Sequence, residues 1–178
     1  MRAMFNNRSD TSHRAQPARP WLLGTLLVSL GALAVALAGQ FAFGLDPCIL
    51  CLYERIPYVA VAVVSTIGLV LPLGDRQRRR LLAFAGLVFA AATILSVYHV
   101  GIEQHWWASS IPGCVGTPVQ NMSTDDLRTG IQAPLRSCDQ VDWWLFGLTL
   151  AAWNAIVSFI LASACLLAAR RQGRASHD

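Results

Sequence analysis

Four long apolar runs divide the chain, and shorter polar segments separate them. The runs contain 23, 18, 22 and 27 residues without an acidic or arginine side chain, and they cover Trp21–Phe43, Ile56–Leu73, Leu81–Ile102 and Trp143–Ala169. A helix of about 20 apolar residues is long enough to cross the hydrocarbon core of a bilayer. A helix also pairs its own backbone polar groups, which lipid cannot do. The pattern therefore predicts four transmembrane helices.

The polar segments between the runs predict how these helices are connected. A short loop, a tight turn and a long loop favour an up-down-up-down four-helix bundle. We predict an all-α membrane protein with a transmembrane domain over residues 21–169, polar tails at 1–20 and 170–178, and two loops on one side at about 44–55 and 103–142. The first run, with 23 residues, exceeds the ~7–15 residues of a signal-peptide core, so we expect a retained anchor.

The long loop carries its own local signals. Tryptophans at both of its ends mark the membrane interface, where this residue is enriched: Trp106, Trp107, Trp143 and Trp144. Inside the loop, Ser123 and Asp126 have the spacing of a capping box, and Gly130 is suited to end a helix. These residues predict a short helix near Thr124–Thr129.

Arginine sets the expected orientation. The chain has 14 positive residues, and all of them are arginine. Eleven fall on one side of the predicted membrane: Arg2, Arg8, Arg14, Arg19, Arg76, Arg78, Arg79, Arg80, Arg170, Arg171 and Arg174. Three fall on the other side: Arg55, Arg128 and Arg136. The positive-inside rule then places both termini in the cytoplasm and the two cysteine-bearing loops outside.

Composition supports a membrane protein. Hydrophobic residues make up 54% of the chain and charged residues only 13%, against about 25% in an ordinary soluble domain. A net charge of +4 is compatible with nucleic-acid binding, but the arginines flank apolar runs and belong to no nucleic-acid-binding motif. The predicted surroundings are therefore the lipid bilayer, and no nucleic acid is expected as a partner.

Two cysteines lie where the short outer loop meets the second span, in the string Pro47-Cys48-Ile49-Leu50-Cys51. A Cys-x-x-Cys pair forms a disulfide readily, and a thiol near a helix start is stabilised as a thiolate by the helix dipole. At a membrane surface, such a pair can reach aqueous thiols and a lipid-soluble electron carrier. We therefore predict a redox dithiol. Cys165, inside the fourth span, is interpreted as a small apolar side chain.

Two other interpretations of Cys48 and Cys51 exist. A structural disulfide between them would constrain little chain entropy, because the residues are nearly adjacent. A zinc site would combine them with Cys114 and Cys138, and the spacing allows this set. Such a site gives no reason for the neighbouring Arg55, so no metal site is predicted.

Cys114 and Cys138 enclose 23 residues of the long loop. A structural disulfide here would stabilise the fold by roughly 3–4 kcal/mol in the chain-entropy model. An exposed loop disulfide would instead be open to attack by the thiolate of an external partner. Beside a redox Cys-x-x-Cys pair, we predict the exchangeable form.

Three further residues are candidates for binding the electron carrier. Arg55 follows Cys51 by four residues and shares its helix face, where a guanidinium can lower a thiol pKa and donate to a quinone carbonyl. Its alternative role is an interface arginine paired with Glu54 or a lipid phosphate. His99 and His105, at the outer end of the third span, are placed to give a proton to a reduced quinone; each could equally be an ordinary interface histidine.

The nine residues Pro47–Arg55 closely resemble the signature of the DsbB family of bacterial disulfide-bond-formation proteins. The paired loop cysteines and the string from Cys138 to Gly147, with Trp153 beyond, are similar to that family's entry into its last helix. The resemblance covers roughly Trp21–Leu167. It implies a multi-pass protein of the bacterial inner membrane, an oxidoreductase whose site faces the periplasm. Such a protein reoxidises a DsbA-like dithiol oxidant and passes the electrons to membrane quinone, ubiquinone or menaquinone.

The resemblance also implies roles for individual residues. Cys114 would form the mixed disulfide with the partner, and Cys138 would relay to the Cys48–Cys51 pair. Cys51 would be the thiolate that faces the quinone, beside Arg55.

Either His99 or His105 would match the family's quinone-side histidine, and His99 is favoured. Two alternatives for the whole chain remain. One is a paralogue dedicated to another partner, and the other is a non-enzymatic membrane assembly protein with structural disulfides.

Overall fold

Four helices long and apolar enough to cross a membrane form the frame of the computed structural model, which confirms the predicted fold class. The structure describes residues 18–111, 114, 137–141 and 143–174. The elements are α1 (Ala18–Ala42), α2 (Ile49–Tyr53), α3 (Arg55–Val70), α4 (Asp75–Glu103), β1 (Trp144–Leu145), β2 (Leu148–Thr149) and α5 (Leu150–Arg174). The predicted helix near Thr124–Thr129 and most of the N-terminal tail lie outside the described residues.

Small and polar residues pack inside the bundle beside large side chains such as Phe89 and Leu82, and many other large apolar residues face outward. Its most extensive contacts join α4 to α5 and α1 to α3. A Cβ added at Gly86 would lie 2.8 Å from Leu166, and one at Gly68 would lie 2.7 Å from Leu22, so each glycine allows two helices to approach closely. The outward-facing side chains of Val35 and Ile94 are 74% and 73% exposed, as expected of a surface that lipid covers.

The second span begins earlier than predicted. A short helix, α2, lies within the predicted outer loop, and α3 begins at Arg55. Glu54 separates the two helices but keeps helical angles, φ −65° and ψ −19°. Pro57 has no N–H to donate to Tyr53, four residues before it, and its ring crowds that carbonyl. The proline therefore explains why the helix is interrupted here and why hydropathy alone placed its start too late.

The fourth span begins later than predicted, because its first residues form a hairpin. Trp144 pairs with Thr149, and Leu145 pairs with Leu148. Phe146 and Gly147 form the turn with φ values of 51° and 78°, the left-handed conformation that two-residue hairpin turns need. A continuous apolar run does not distinguish a strand from a helix. The predicted fold class holds for the four spans, and this short hairpin is a local detail that the sequence pattern did not predict.

The helix α5 starts immediately after the hairpin. The Thr149 hydroxyl accepts a hydrogen bond from the Ala152 backbone N–H at 3.1 Å, which caps the first turn. Cys165 is buried in the bundle core with Phe89 and Leu82, as expected for a small apolar side chain.

Candidate functional site

All four loop cysteines lie at one end of the bundle, which we call the cysteine end. Cys48, Cys114 and Cys138 are buried together with Leu50 and Ile102 in one cluster. Half-buried side chains, including Cys51, pack against this cluster. The structure therefore brings together the two cysteine pairs that the sequence predicts as redox-active.

Cys48 and Cys51 are free thiols in direct contact. Cys48 is the N-cap residue of α2, and its sulfur accepts a hydrogen bond from the Cys51 backbone N–H at 3.1 Å. The two sulfur atoms are 2.7 Å apart. The hydrogen bond from the Cys51 thiol lowers the pKa of Cys48, and the backbone N–H groups add to this effect, while burial opposes it. Cys48 is therefore the thiol prepared to ionise, and Cys51 is the more exposed of the two.

His99 lies against this pair. Its Nε2 is 3.5 Å from the Cys48 sulfur, and its Nδ1 is 3.0 Å from Glu54 Oε1. The imidazole is only 3% exposed. His105 is exposed just after the end of α4 and has a φ of 58°. Of the two candidate histidines, the structure brings only His99 to the cysteine pair.

Glu54 and its partners are the residues that sequence reasoning missed. Glu54 is 8% exposed, and its Oε2 accepts from Asn154 Nδ2 at 3.0 Å. Asn154 also donates to Ser96 Oγ at 2.9 Å and accepts from the Tyr58 hydroxyl at 2.6 Å. Asn154 is the one carboxamide among the apolar residues of the fourth span. Since polar groups inside a membrane are costly and usually functional, that isolated amide was the available signal.

Glu103 flanks the imidazole on its other side. It lies one helical turn after His99, and its Oε1 is 3.9 Å from His99 Nε2. Its side chain is 8% exposed, and its buried Oε2 has no hydrogen-bond partner among the described residues. The imidazole thus has a carboxylate near each ring nitrogen, hydrogen-bonded at Nδ1 and 3.9 Å away at Nε2.

Arg55 is held by the first helix. Its Nη1 donates to Gln40 Oε1 at 2.8 Å. It does not pair with Glu54, whose two oxygens are occupied by His99 and Asn154. Neighbouring positions on a helix point about 100° apart, so Arg55 faces α1 while Glu54 faces α4 and α5. The half-buried guanidinium therefore points toward α1, and among the described residues its hydrogen bond is to Gln40 and not to a cysteine.

The second cysteine pair is a formed disulfide. Cys114 and Cys138 are bonded, with their Cα atoms 5.0 Å apart. The Cys138 backbone N–H donates to the Cys114 carbonyl at 2.9 Å, and the Ser137 hydroxyl donates to the same oxygen at 3.1 Å. The prediction of an exposed disulfide is wrong, because each cysteine is only 1% exposed. Packing against Ile102 and the first pair covers the sulfurs.

Comparison with known proteins adds a family. A family model described as "DsbB: Disulfide bond formation protein DsbB" matches residues 18–168. A protein of Neisseria meningitidis serogroup C named "Disulfide bond formation protein B" is 31% identical over 142 residues, 76% of this chain and 83% of the relative. Relatives with the same name in Dechloromonas aromatica and Xanthomonas oryzae are 29% identical over 87% of this chain and 30% identical over 93% of it. The two alignments cover 94% and 95% of those relatives.

Proposed function

The chain belongs to the DsbB family of disulfide bond formation proteins, and from this premise we propose that it is a thiol:quinone oxidoreductase of the bacterial inner membrane. In this proposal it reoxidises a periplasmic DsbA-like dithiol oxidant. The observation that carries the proposal is the single buried cluster that contains a free Cys48–Cys51 pair and the Cys114–Cys138 disulfide. Two cysteine pairs in contact range are what a relay by thiol–disulfide exchange requires.

The first step is exchange with the external dithiol. A thiolate of the partner attacks Cys114 and forms a mixed disulfide, and Cys138 leaves as a thiolate. Attack needs an accessible sulfur. Because Cys114 and Cys138 are buried, we expect docking of the partner to make the Cys114 sulfur accessible.

The second step transfers the disulfide inward. The Cys138 thiolate attacks the oxidised Cys48–Cys51 pair, and the partner's second thiolate releases Cys114. Cys114 then attacks Cys138, which restores their disulfide and leaves Cys48 and Cys51 as thiols. The net result is one oxidised partner and one reduced Cys48–Cys51 pair.

The third step restores the inner disulfide. The support for a quinone as the acceptor is Arg55, a half-buried cationic donor four residues after Cys51. A bound quinone would accept two electrons and two protons and leave as hydroquinone. Cys48 supplies the thiolate favoured by its N-cap position, and Cys51 presents the more exposed sulfur. His99, held by Glu54, is placed to carry a thiol proton away from Cys48.

The arginine distribution supports the orientation. Arg76, Arg78, Arg79 and Arg80 begin α4 at the end of the bundle opposite the cysteines, and Arg170 and Arg171 end α5 there. By the positive-inside rule, that end would face the cytoplasm and the cysteine end the periplasm.

The test is turnover by the purified protein in detergent. Reduced DsbA-like protein and a soluble quinone are added, and quinone absorbance is followed together with partner thiols. We expect one quinone reduced for each partner disulfide formed. Cys165→Ser is the matched control, because Cys165 lies in the core away from the site, and it should turn over normally. Absence of quinone reduction by a folded wild-type protein would overturn the proposal.

A second candidate, a membrane assembly protein with structural disulfides, is favoured by one observation. The Cys114–Cys138 disulfide is almost fully buried, as structural disulfides often are. Acid trapping of a mixed disulfide between Cys114 and the partner separates the two functions. An exchangeable bond should be captured within the time of turnover, whereas a structural bond should stay intact.

A further inference from the structure

Three possible metal ligands converge at the cysteine end. The sulfurs of Cys48 and Cys51 and the Nε2 of His99 all lie within 4.8 Å of one another. Zinc bonds of ~2.3 Å to sulfur and ~2.0–2.1 Å to nitrogen place tetrahedral ligand atoms roughly 3.3–3.8 Å apart. The Cys48 sulfur is 3.5 Å from His99 Nε2 and fits this range. The two sulfurs, 2.7 Å apart, would need to separate by about 1 Å, so the half-buried Cys51 side chain would have to turn when the metal binds.

The imidazole is oriented as metal-binding histidines are. The Glu54 carboxylate accepts from His99 Nδ1 at 3.0 Å, so the Nε2 lone pair is left to face the Cys48 sulfur. Histidines that bind a metal usually donate their other N–H to a carboxylate or carbonyl, which fixes the ring. Asn154 in turn fixes Glu54 through its second oxygen at 3.0 Å. The hydrogen bonds that orient a metal-binding histidine are therefore already present.

A fourth ligand is available in Glu103. Its side chain is 8% exposed, and its Oε1 is 3.9 Å from His99 Nε2. Its Oε2 is buried without a hydrogen-bond partner among the described residues. A buried carboxylate oxygen without a partner is costly. The Glu103 oxygens do not belong to the group of mutually close ligand atoms, so Glu103 would complete the site and satisfy this oxygen only after its side chain turns toward the sulfurs.

We propose that the reduced Cys48–Cys51 pair, with His99 and Glu103, is a binding site for Zn²⁺, and that an occupied site blocks reoxidation of the pair. Binding forms two zinc–thiolate bonds and releases the two thiol protons to the buffer, with no change of oxidation state. In the disulfide form no thiolate is available, so the site exists only in the reduced protein. The inference rests on the proposed function only in requiring that the pair becomes a dithiol during turnover.

This ligand set differs from a zinc site of four cysteines. Cys114 and Cys138 are bonded to each other, and the Cys48 sulfur already has His99 Nε2 at 3.5 Å. A two-thiolate, imidazole and carboxylate set suits the borderline-soft Zn²⁺ ion. Zn²⁺ bound at the cysteine end would then inhibit the protein's own redox cycle.

The test is a Co²⁺ titration of the full-length protein in detergent, reduced and then freed of reductant without oxygen. We expect one Co²⁺ per chain, with a thiolate-to-cobalt charge-transfer band and the intense visible bands of a tetrahedral site. Zn²⁺ should displace the cobalt stoichiometrically. The oxidised wild-type protein should show neither band. This comparison uses one unmutated polypeptide, so it does not depend on whether a variant folds.

Variants identify the ligands. Cys51→Ser and His99→Ala should lose the tetrahedral spectrum, whereas His105→Ala, an exposed histidine six residues along, should keep it. The double variant Cys114→Ser/Cys138→Ser should also keep it, and loss of the spectrum there would identify a four-cysteine site instead. Glu54→Gln should weaken Zn²⁺ binding by about 10–100-fold, the usual effect of losing the group that orients a ligand histidine.

The outcomes separate this inference from the proposed function. Absence of tetrahedral Co²⁺ absorption in the reduced wild-type protein would overturn the metal site, even if quinone is turned over. Cobalt binding without quinone reduction would overturn the proposed function and leave the metal site standing. Where both hold, Zn²⁺ should slow quinone reduction and a chelator should restore it. A rate unaffected by saturating Zn²⁺ would contradict the blocking role.

Discussion

The two cysteine pairs share one cluster but have opposite surroundings. Cys48 and Cys51 are free, and ionisable groups surround them: His99 at 3.5 Å from Cys48, with Glu54 behind it. Cys114 and Cys138 are bonded, and their recorded hydrogen-bond neighbours are backbone groups and the Ser137 hydroxyl. The difference teaches that position at the membrane end does not by itself make a cysteine pair reactive. Among the described residues, a titratable side chain is hydrogen-bonded to the Cys48–Cys51 pair and none is hydrogen-bonded to the loop disulfide, which under the proposed function suits the first pair to electron transfer and the second to exchange.

The largest effect on quinone reduction is expected from a change in the Cys48–Cys51 pair. Cys51→Ser should abolish quinone reduction with any dithiol donor, because no disulfide can form without the second sulfur. Quinone absorbance with reduced DsbA-like protein measures this, and Cys165→Ser provides the control. Residual turnover above the uncatalysed rate in a folded Cys51→Ser variant would contradict the assignment.

A second variant should separate the role of the Cys114–Cys138 pair from that of the Cys48–Cys51 pair. Cys114→Ser should block oxidation of the protein partner but spare quinone reduction when a small dithiol reduces Cys48 and Cys51 directly. The two donors are compared in the same absorbance assay. Normal oxidation of the protein partner by this variant would show that the loop disulfide is not an obligatory relay.

Of the two candidate histidines, only His99, which contacts Cys48, should affect the rate of quinone reduction. His99→Ala should lower the rate of quinone reduction by about 100-fold or more, the usual contribution of a positioned acid or base. His105→Ala should leave the rate within about twofold, because its side chain is exposed and away from the cysteines. Initial rates at saturating quinone measure both variants, and equal losses would remove the distinction between them.

The polar contacts behind His99 should have a smaller effect. Asn154→Leu should destabilise the protein by about 1–3 kcal/mol, because Glu54 and the Tyr58 hydroxyl lose a buried partner. It should also lower the turnover rate several-fold by releasing Glu54. Ser158→Ala is the matched control, because it contacts Tyr58 but not Glu54. Thermal unfolding and turnover are measured together, and a normal rate for Asn154→Leu would show that Glu54 does not need this support.

The smallest effect concerns ionisation of Cys48. Its lowered pKa means that the thiolate persists below the pH at which an ordinary cysteine, with a pKa of about 8.5, is half ionised. Alkylation of Cys48 should therefore remain fast as the pH falls to its lowered pKa and slow only below it. In a Cys165→Ser background, Cys51→Ala should move the profile to higher pH, because the hydrogen bond from Cys51 is the largest cause of the shift. If Cys51→Ala leaves the pH profile of Cys48 alkylation unchanged, backbone N–H groups, and not the Cys51 thiol, lower the pKa of Cys48.

The starts of the second and fourth spans show that hydropathy locates a transmembrane helix but not its first residue. The runs located all four spans, but the second helix began seven residues before its apolar run and the fourth began with a hairpin. Pro57 interrupts the second span, and the hairpin turn at Phe146 and Gly147 precedes the helix of the fourth span. Both causes are local conformational preferences, which an average over an apolar window does not contain.

The sequence by itself determined the four spans, the distribution of arginine and the adjacency of Cys48 and Cys51. Each of these follows from length, composition or near-neighbour spacing along one helix. Tertiary structure alone decided that His99, rather than His105, meets the cysteine pair. It also decided that Glu54 meets Asn154, 100 residues away along the chain, and that the loop disulfide is buried. These facts depend on which faces of packed helices meet, and no local pattern encodes that geometry.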